Sequence, residues 1–212
     1  LSSIEIDGTL IRAQAGATLA AIAQRALEAE LTGMECLSGI PGTLGGALSM
    51  NAGAYGSEIK DITVSVRVLE ADGTVRELDR EEMAFGYRTS AVQQGGMYVL
   101  SAVLKLTENN RDEIAKKMQE IRAKRQEKQP LEMPSAGSTF KRPEGYFAGA
   151  LIDEAGLRGY RVGGAQVSEK HCGFVVNTGK ATACDVQRLI LDVQRIVYEK
   201  SGVKLEPEVK FL

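Results

Sequence analysis

Residues 39–56 read GIPGTLGGALSMNAGAYG, with six glycines, one proline and no charge. A stretch this poor in side chains buries little apolar area, so its gain has to come from bringing backbone close to something else. Glycine has no Cβ to clash with a phosphate or a flat ring, and exposed N–H groups in such a run form anion-binding concavities. The pattern is neither GxxxxGK followed by Ser or Thr, nor GxGxxG after a strand, so it is not a Walker or a Rossmann loop. Taken alone, it reads equally well as a tight structural turn or as a cofactor loop.

At 212 residues the chain can form one large domain or two small ones with a sizeable core. The formal net charge of -2 provides no broad field for nucleic acid or an anionic membrane. The expectation is therefore no nucleic-acid partner and no membrane partner, with any anion bound locally. No apolar run reaches the roughly 20 residues a bilayer needs, and no signal peptide opens the chain, which points to the cytoplasm. Cys36, Cys172 and Cys184 are odd in number and lack metal-ligand spacing, so they read as buried thiols, with no disulfide framework and no metal site. The opening LSSIEIDGTLIRAQAG starts without methionine and inside a strand, so a segment upstream of Leu1 is expected to be missing.

Strand signals dominate the first half. Alternation around Asp7-Gly8 predicts a hairpin, and Leu19, Ile22, Ala23 and Leu27 predict a helix from Thr18 to about Leu31. ITVSVRVLEADGTVREL predicts a second hairpin around Asp72-Gly73, with Val64, Val66 and Val68 on one face. Asp79 with Glu82 resembles a capping box, and residues 97–107 read as a buried strand. Composition changes at NNRDEIAKKMQEIRAKRQEKQP, where Ile114, Met118 and Ile121 make a narrow stripe on a solvated helix, and a domain boundary is placed near residue 108. Beyond it lie a helix near 147–156, a strand at 173–177, a helix from Ala183 to Lys200 stopped by Gly202, and a final strand in KLEPEVKFL.

Several residue types could carry chemistry. PSAGSTFKRPEG places Ser138 ahead of Lys141 and Arg142, and it reads as a surface loop or as a hydroxyl that gives a proton. Hydrolase chemistry is disfavoured, because the sole histidine, His171, lies in another motif and no GxSxG surrounds the serine. FGYRTS sets Arg88 beside Tyr87 and Phe85, where a permanent guanidinium suits a carboxylate or a structural ion pair. Glu206 and Glu208 would share a face of the last strand, and His171 in SEKHCGF suits phosphate binding, acid–base work or a structural role.

The order GIPGTLGGALSMNAGAYG, FGYRTS, AGSTFKRPEG, GGAQVSEKHCGFVVN, LEPEVKF closely resembles the UDP-N-acetylenolpyruvoylglucosamine reductase family, the UDP-N-acetylmuramate dehydrogenases of peptidoglycan synthesis. The resemblance spans essentially the whole chain. It implies an α+β fold with a vanillyl-alcohol-oxidase-like FAD-binding central domain, residues 1–107 and 204–212, and a smaller α+β substrate-binding domain, 108–203. The family's N-terminal FAD subdomain, with its GGGSN-like loop, is expected to be absent from this chain. Only TSAVQQGG follows FGYR before the next strand, which leaves no room for a substrate-capping tyrosine loop and resembles the shorter, type II form.

The activity implied is reduction of UDP-N-acetylglucosamine enolpyruvate to UDP-N-acetylmuramate, with FAD and NADPH as cofactors, by a cytoplasmic monomer serving cell-wall growth, cell shape and cell division. Arg88, Ser138 and Glu208 fall on the family's catalytic positions: hydride goes to the terminal enolpyruvyl carbon, Arg88 and a protonated Glu208 stabilise the developing charge, and Ser138 protonates the adjacent carbon. Ile40, Pro41, Gly42, Thr43, Gly45, Gly46, Ser49, Asn51, Gly53 and Ala54 would contact FAD. Tyr87, Lys141, Arg142, Arg158 and His171 would contact the substrate. Many members carry Asn at the position of Arg142, and some carry Gln at that of His171. The alternative is a truncated, non-catalytic UDP-sugar-binding fragment; a flavin oxidase of the same fold would leave Arg88, Ser138 and Glu208 unexplained.

Overall fold

In the computed structural model, which describes residues 1–211, the chain forms two compact units, the first Leu1–Ala123 and the second from Lys124 onward. The first unit begins with the expected hairpin, β1 (Ile4–Asp7) and β2 (Leu10–Gln14), although its two-residue loop is Gly8-Thr9 rather than Asp7-Gly8. Helix α1 (Leu19–Glu28) follows, with the Thr18 hydroxyl accepting from the Ala21 N–H, and then β3 (Leu31–Thr32). Next come α2 (Leu44–Ser49), the small pair β4 (Gly53–Ala54) and β5 (Ser57–Glu58), a 3-10 turn at Ile59–Asp61, β6 (Thr63–Leu69) and β7 (Val75–Asp79). Short α3 (Ala91–Gly95), β8 (Tyr98–Lys105) and β9 (Thr107–Glu108) lead into α4 (Arg111–Lys128).

A five-stranded antiparallel sheet in the order β1-β2-β8-β6-β7 forms the body of this unit. Its inner face contributes Ile11, Ala13, Val66, Val68, Ala102 and Leu104 to a core that α1 closes with Leu19, Ile22, Ala23 and Ala26, and α2 with Leu44, Ala47 and Leu48. Val66 and Val68 are fully buried as the alternation predicts, but Val64 is 41% exposed. The register with β8 explains this: Thr63 pairs with Leu104 and Ser65 with Val103, so Val64 is the extra residue of a bulge and leaves the face of its neighbours. The reciprocal bonds expected of Asp79 and Glu82 both form, at 2.9 and 2.8 Å, but they close a turn that does not extend into a helix.

Helix α4 does not begin a separate unit at residue 108. Its Met118 packs on the first core, and Lys117 Nζ lies 3.6 Å from the carboxylate of Glu35, which is 2% exposed. Burial pushes the Glu35 carboxyl up, but hydrogen bonds from Thr32 Oγ1 (2.5 Å) and the Gly33 N–H (2.7 Å), together with Lys117, outweigh it and hold the group below the usual carboxylate range.

The second unit contains β10 (Ser135–Ser138), α5 (Ala148–Glu154), β11 (Arg161–Val162), β12 (Ala165–Val167), β13 (Phe174–Asn177) and α6 (Ala183–Ser201). Its sheet runs β10-β13-β12-β11, and α6 covers it with Leu189, Ile190, Val193 and Val197. Thr182 and Asp185 cap α6 reciprocally, and Gly202 ends it with φ 71°. Two expectations are corrected here. Residues 204–211 form no strand: Pro207 makes a single bridge with Phe140, and the Glu206 carbonyl and Glu208 N–H bond to Lys141 and Thr139, so this tail runs with the second unit. Cys36 and Cys172 are buried, but Cys184 is exposed in the first turn of α6. Among the described residues no helix is long and apolar enough to cross a membrane.

The bulge gives a test. Leu104→Ala, at a fully buried site, is expected to cost about 2–5 kcal/mol. Val64→Ala should change stability by less than about 0.5 kcal/mol. Urea midpoints of the two variants check the difference, and a costly Val64→Ala would rule out the bulge.

Candidate active site

The glycine-rich stretch is only partly a loop. Its middle is α2, begun by Thr43, whose side chain accepts from the Gly46 N–H, and Thr43 bridges Thr18 at the start of α1. The Leu44 and Gly45 N–H groups donate to the carbonyls of Ala17 (2.8 Å) and Ala15 (2.9 Å), which lays α2 directly on the turn between β2 and α1. A Cβ at Gly45 would lie 3.1 Å from Ala15 Cβ, and one at Gly53 would lie 2.7 Å from Ser57 O. These two glycines are explained by the protein's own packing. At Gly42, in contrast, a Cβ would meet nothing within 4 Å, and at Gly46 only Thr43 Oγ1 at 3.8 Å. Of the residues expected at a cofactor, Pro41, Gly42, Thr43 and Gly46 are exposed, while Ile40, Gly45, Ser49, Gly53 and Ala54 are half-buried.

Asn51 differs from the rest, being 0% exposed. Its Nδ2 donates to Glu58 Oε2 (3.1 Å) and to the Gly86 carbonyl (2.9 Å), and its Oδ1 accepts from the Lys60 N–H (3.3 Å). Arg88 Nη2 donates to the Gly53 carbonyl (3.1 Å) and Nη1 to that of Asn51 (3.5 Å), so the first unit brings FGYR and the MNAGAYG segment together. The guanidinium also stands 5.1 Å from the centre of the half-exposed Tyr87 ring.

In the second unit Ser138 lies at the exposed end of β10, opposite Phe174. The next residue, Thr139, accepts the Glu208 N–H at 2.8 Å, so the tail backbone at Glu208 pairs with the residue just beyond Ser138. A Cβ at Gly173 would lie 2.9 Å from His171 Cε1 and 3.7 Å from Ser138 Oγ, so the imidazole and the serine hydroxyl both border that bare position. His171 Nδ1 accepts the Gly173 N–H at 3.0 Å, which leaves its proton on Nε2. Burial, with the nearby Arg158 guanidinium, holds the His171 pKa below its ordinary value.

The expected cations are already engaged. Lys141 Nζ lies 2.5 Å from Glu206 Oε1. Arg158 forks onto Asp153 at 2.9 and 2.5 Å and donates to the Glu169 carbonyl, an arrangement that lowers the Asp153 carboxyl. Arg142 donates to the Tyr146 carbonyl at 3.2 Å, and its Cζ stands 4.0 Å from the centre of the Phe147 ring. Sequence reasoning did not find Asp153 as a partner of Arg158: the two are five residues apart across the end of α5, a spacing that only the turn after that helix brings together. Glu58 carried no signal either, since its role comes from the β4–β5 hairpin. An open groove of about 420 Å³ on the outer sheet face, with Glu5, Arg12, Arg67 and Glu77 in its lining, contains none of the expected site residues, and its mixed charges mark a solvated face.

Comparison with known proteins adds a separate line. The family model described as "UDP-N-acetylenolpyruvoylglucosamine reductase, C-terminal domain" matches residues 129–212, and the model described as "FAD binding domain" matches residues 1–79. A curated UDP-N-acetylenolpyruvoylglucosamine reductase of Agathobacter rectalis is 62% identical over 96% of this chain, which spans 65% of that relative's length. The reductase of Caldanaerobacter subterraneus subsp. tengcongensis is 55% identical over 100% of the chain and 70% of its own length. The crystal structure of the Thermus caldophilus reductase superposes with a TM-score of 0.85 at 41% identity, covering 97% of this chain and 73% of that one. The expected α+β fold class agrees with these matches.

The His171 geometry predicts a titration midpoint below the ordinary 6.5. Above that value both folded and unfolded chains are neutral at this position. As pH falls through it, the unfolded chain takes up the proton first, so the folded state loses stability until pH passes the lower folded value. Imidazole NMR shifts should show the low midpoint, and His171→Gln should flatten the decline of urea midpoints between neutral and acidic pH. A midpoint at or above 6.5 would contradict the half-buried, Nε2-protonated ring.

Proposed function

This chain belongs to the UDP-N-acetylenolpyruvoylglucosamine reductase family, and from that membership we propose that the protein reduces UDP-N-acetylglucosamine enolpyruvate to UDP-N-acetylmuramate with FAD and NADPH, for peptidoglycan synthesis. The observation that supports this reading is the backbone pairing of the tail with the end of β10, where Glu208 bonds to Thr139, the neighbour of Ser138, from about 70 residues away in sequence. We assign cofactor contact to residues 1–107, apart from Tyr87 and Arg88, substrate contact to 108–203 and a catalytic carboxyl to the 204–212 tail. This is a division by role rather than by packing. Action as a monomer in the cytoplasm, in support of cell shape and division, belongs to the same proposal.

The open backbone at Gly42 and Gly46 fits a bulky cofactor, with Ile40, Pro41 and Thr43 bordering it, whereas the Asn51 amide is consumed inside the protein. FAD, when bound, supplies the hydride and is recharged by NADPH. This chain's own groups do the rest. The Arg88 fork and the Glu208 carboxyl, protonated, would hold the substrate carboxylate and stabilise the charge that builds on it, each such donor being typically worth about 3–4 kcal/mol. Ser138 Oγ would give its proton to the carbon beside that carboxylate. A serine is a weak acid, so the proton it loses has to be replaced, by the Lys141 ammonium or by bound water. Tyr87, Arg142 and Arg158 complete the substrate contacts, with Arg158 and Lys141 exchanging Asp153 and Glu206 for phosphate oxygens.

In the flavin-loaded protein, Ser138→Ala should leave reduction of the flavin by NADPH nearly unchanged while slowing its reoxidation by substrate about 10²–10⁴-fold. Rapid mixing of each half-reaction, followed by flavin absorbance, measures both. Equal slowing of the two would remove Ser138 as the proton donor. Protein that stays colourless with added FAD yet binds the UDP-sugar would favour the non-catalytic fragment.

A further inference from the structure

We infer that Asn51 is the positioning residue for Arg88: its side-chain amide clamps the base of the turn that presents the guanidinium. Gly86 and Thr89 form an antiparallel bridge, which makes Tyr87 and Arg88 the two-residue tip of a reverse turn. Arg88 takes φ 56° there, a left-handed conformation that a long side chain adopts only when its surroundings impose it. Both legs of this turn are anchored to one short segment. Asn51 Nδ2 donates to the Gly86 carbonyl at 2.9 Å, and the buried Ser90 hydroxyl donates to the Ser49 carbonyl at 2.8 Å. The clasp is reciprocal, because Arg88 donates back to the carbonyls of Gly53 and Asn51.

The amide has no donor hydrogen left for a cofactor. Its second Nδ2 hydrogen goes to Glu58 Oε2 and its Oδ1 takes the Lys60 N–H, while Lys60 Nζ fixes the Glu58 carboxylate at 2.5 Å. The amide itself is fully buried, while its partners Glu58 and Lys60 remain partly exposed. An asparagine also tolerates the φ of 46° that position 51 requires, so one residue supplies both the bend after α2 and the clamp. Asn51 therefore acts through Arg88 rather than on FAD or substrate.

This inference rests on the role of Arg88 given under the proposed function, and a double-mutant cycle in the FAD-loaded protein tests it, with rates scored per bound flavin so that only folded molecules count. Asn51→Gly deletes the amide and permits the positive φ; Asn51→Asp keeps the shape and replaces the Nδ2 donor by an oxygen. Both are expected to slow reoxidation by UDP-N-acetylglucosamine enolpyruvate about 10- to 100-fold. Reduction by NADPH should stay within about threefold of wild type in both. In an Arg88→Ala background, Asn51→Gly should add less than about twofold. Wild-type reoxidation in Asn51→Gly, equal slowing of both half-reactions, multiplicative effects in the double variant, or loss of flavin from both variants would each overturn it. Wild-type reoxidation in Arg88→Ala would remove the role of Arg88 and this inference together, whereas a slow Arg88→Ala beside a fast Asn51→Gly removes the inference alone.

Discussion

The approach of Gly45 to Ala15 is the contact on which the first unit depends. Its N–H bonds to the Ala15 carbonyl at 2.9 Å, and no side chain can stand between them, so α2 lies flat on the turn that leads from β2 into α1. That placement puts the two capping threonines, Thr18 and Thr43, side by side and buries Leu44, Ala47 and Leu48 in the core that α1 shares. It also fixes where the chain leaves α2. From that point the left-handed turn at Asn51 can reach both the β4–β5 hairpin and the FGYR turn.

Strain is concentrated where this chain of placements ends. Of the five non-glycine residues with positive φ among the described residues, Asn51, Tyr55, Ala84 and Arg88 fall in or next to the two clasped segments, and Glu30 lies elsewhere. Each such conformation costs of order 1–3 kcal/mol for a residue that disfavours it, and the surrounding bonds have to over-determine the backbone to hold it. The buried bonds of Asn51 and Ser90 do this for Arg88. Ser138 has no such support and needs none. It sits on a strand edge whose geometry is set by the β10–β13 pairing and the Glu208–Thr139 backbone bond, with the bare Gly173 leaving room for His171.

The parts that were legible in the sequence are those in which periodicity and turn chemistry act locally: the two hairpins, the helix α1, and α6 with its stop at Gly202. What failed did so for reasons outside any local window. Val64 obeyed the alternation and was turned out by a bulge that depends on the register of β8. The glutamate tail has the apolar–polar alternation of a strand, yet Pro207 donates no N–H and only one bridge forms. In the glycine-rich stretch, composition alone could not separate glycines required by internal contact, such as Gly45, from those facing open space, such as Gly42. Nor could it show that the Asn51 amide is spent inside the protein.

The cations proposed for the substrate's phosphates raise a different physical point. Arg158 and Lys141 are each held by a carboxylate, Asp153 and Glu206, and these pairs are exposed enough for water to screen them. A diphosphate entering this region would exchange one oxyanion partner for another rather than meet a bare charge, so the Coulombic gain on binding is a difference between two attractions. The carboxylates in return hold the long side chains in a single orientation before the ligand arrives, and Arg158 gives up little rotamer freedom on binding because Asp153 has already restrained its fork. Affinity from charge alone is lowered by this arrangement, while selectivity rises, because only an anion that matches the fork better than a carboxylate can displace Asp153.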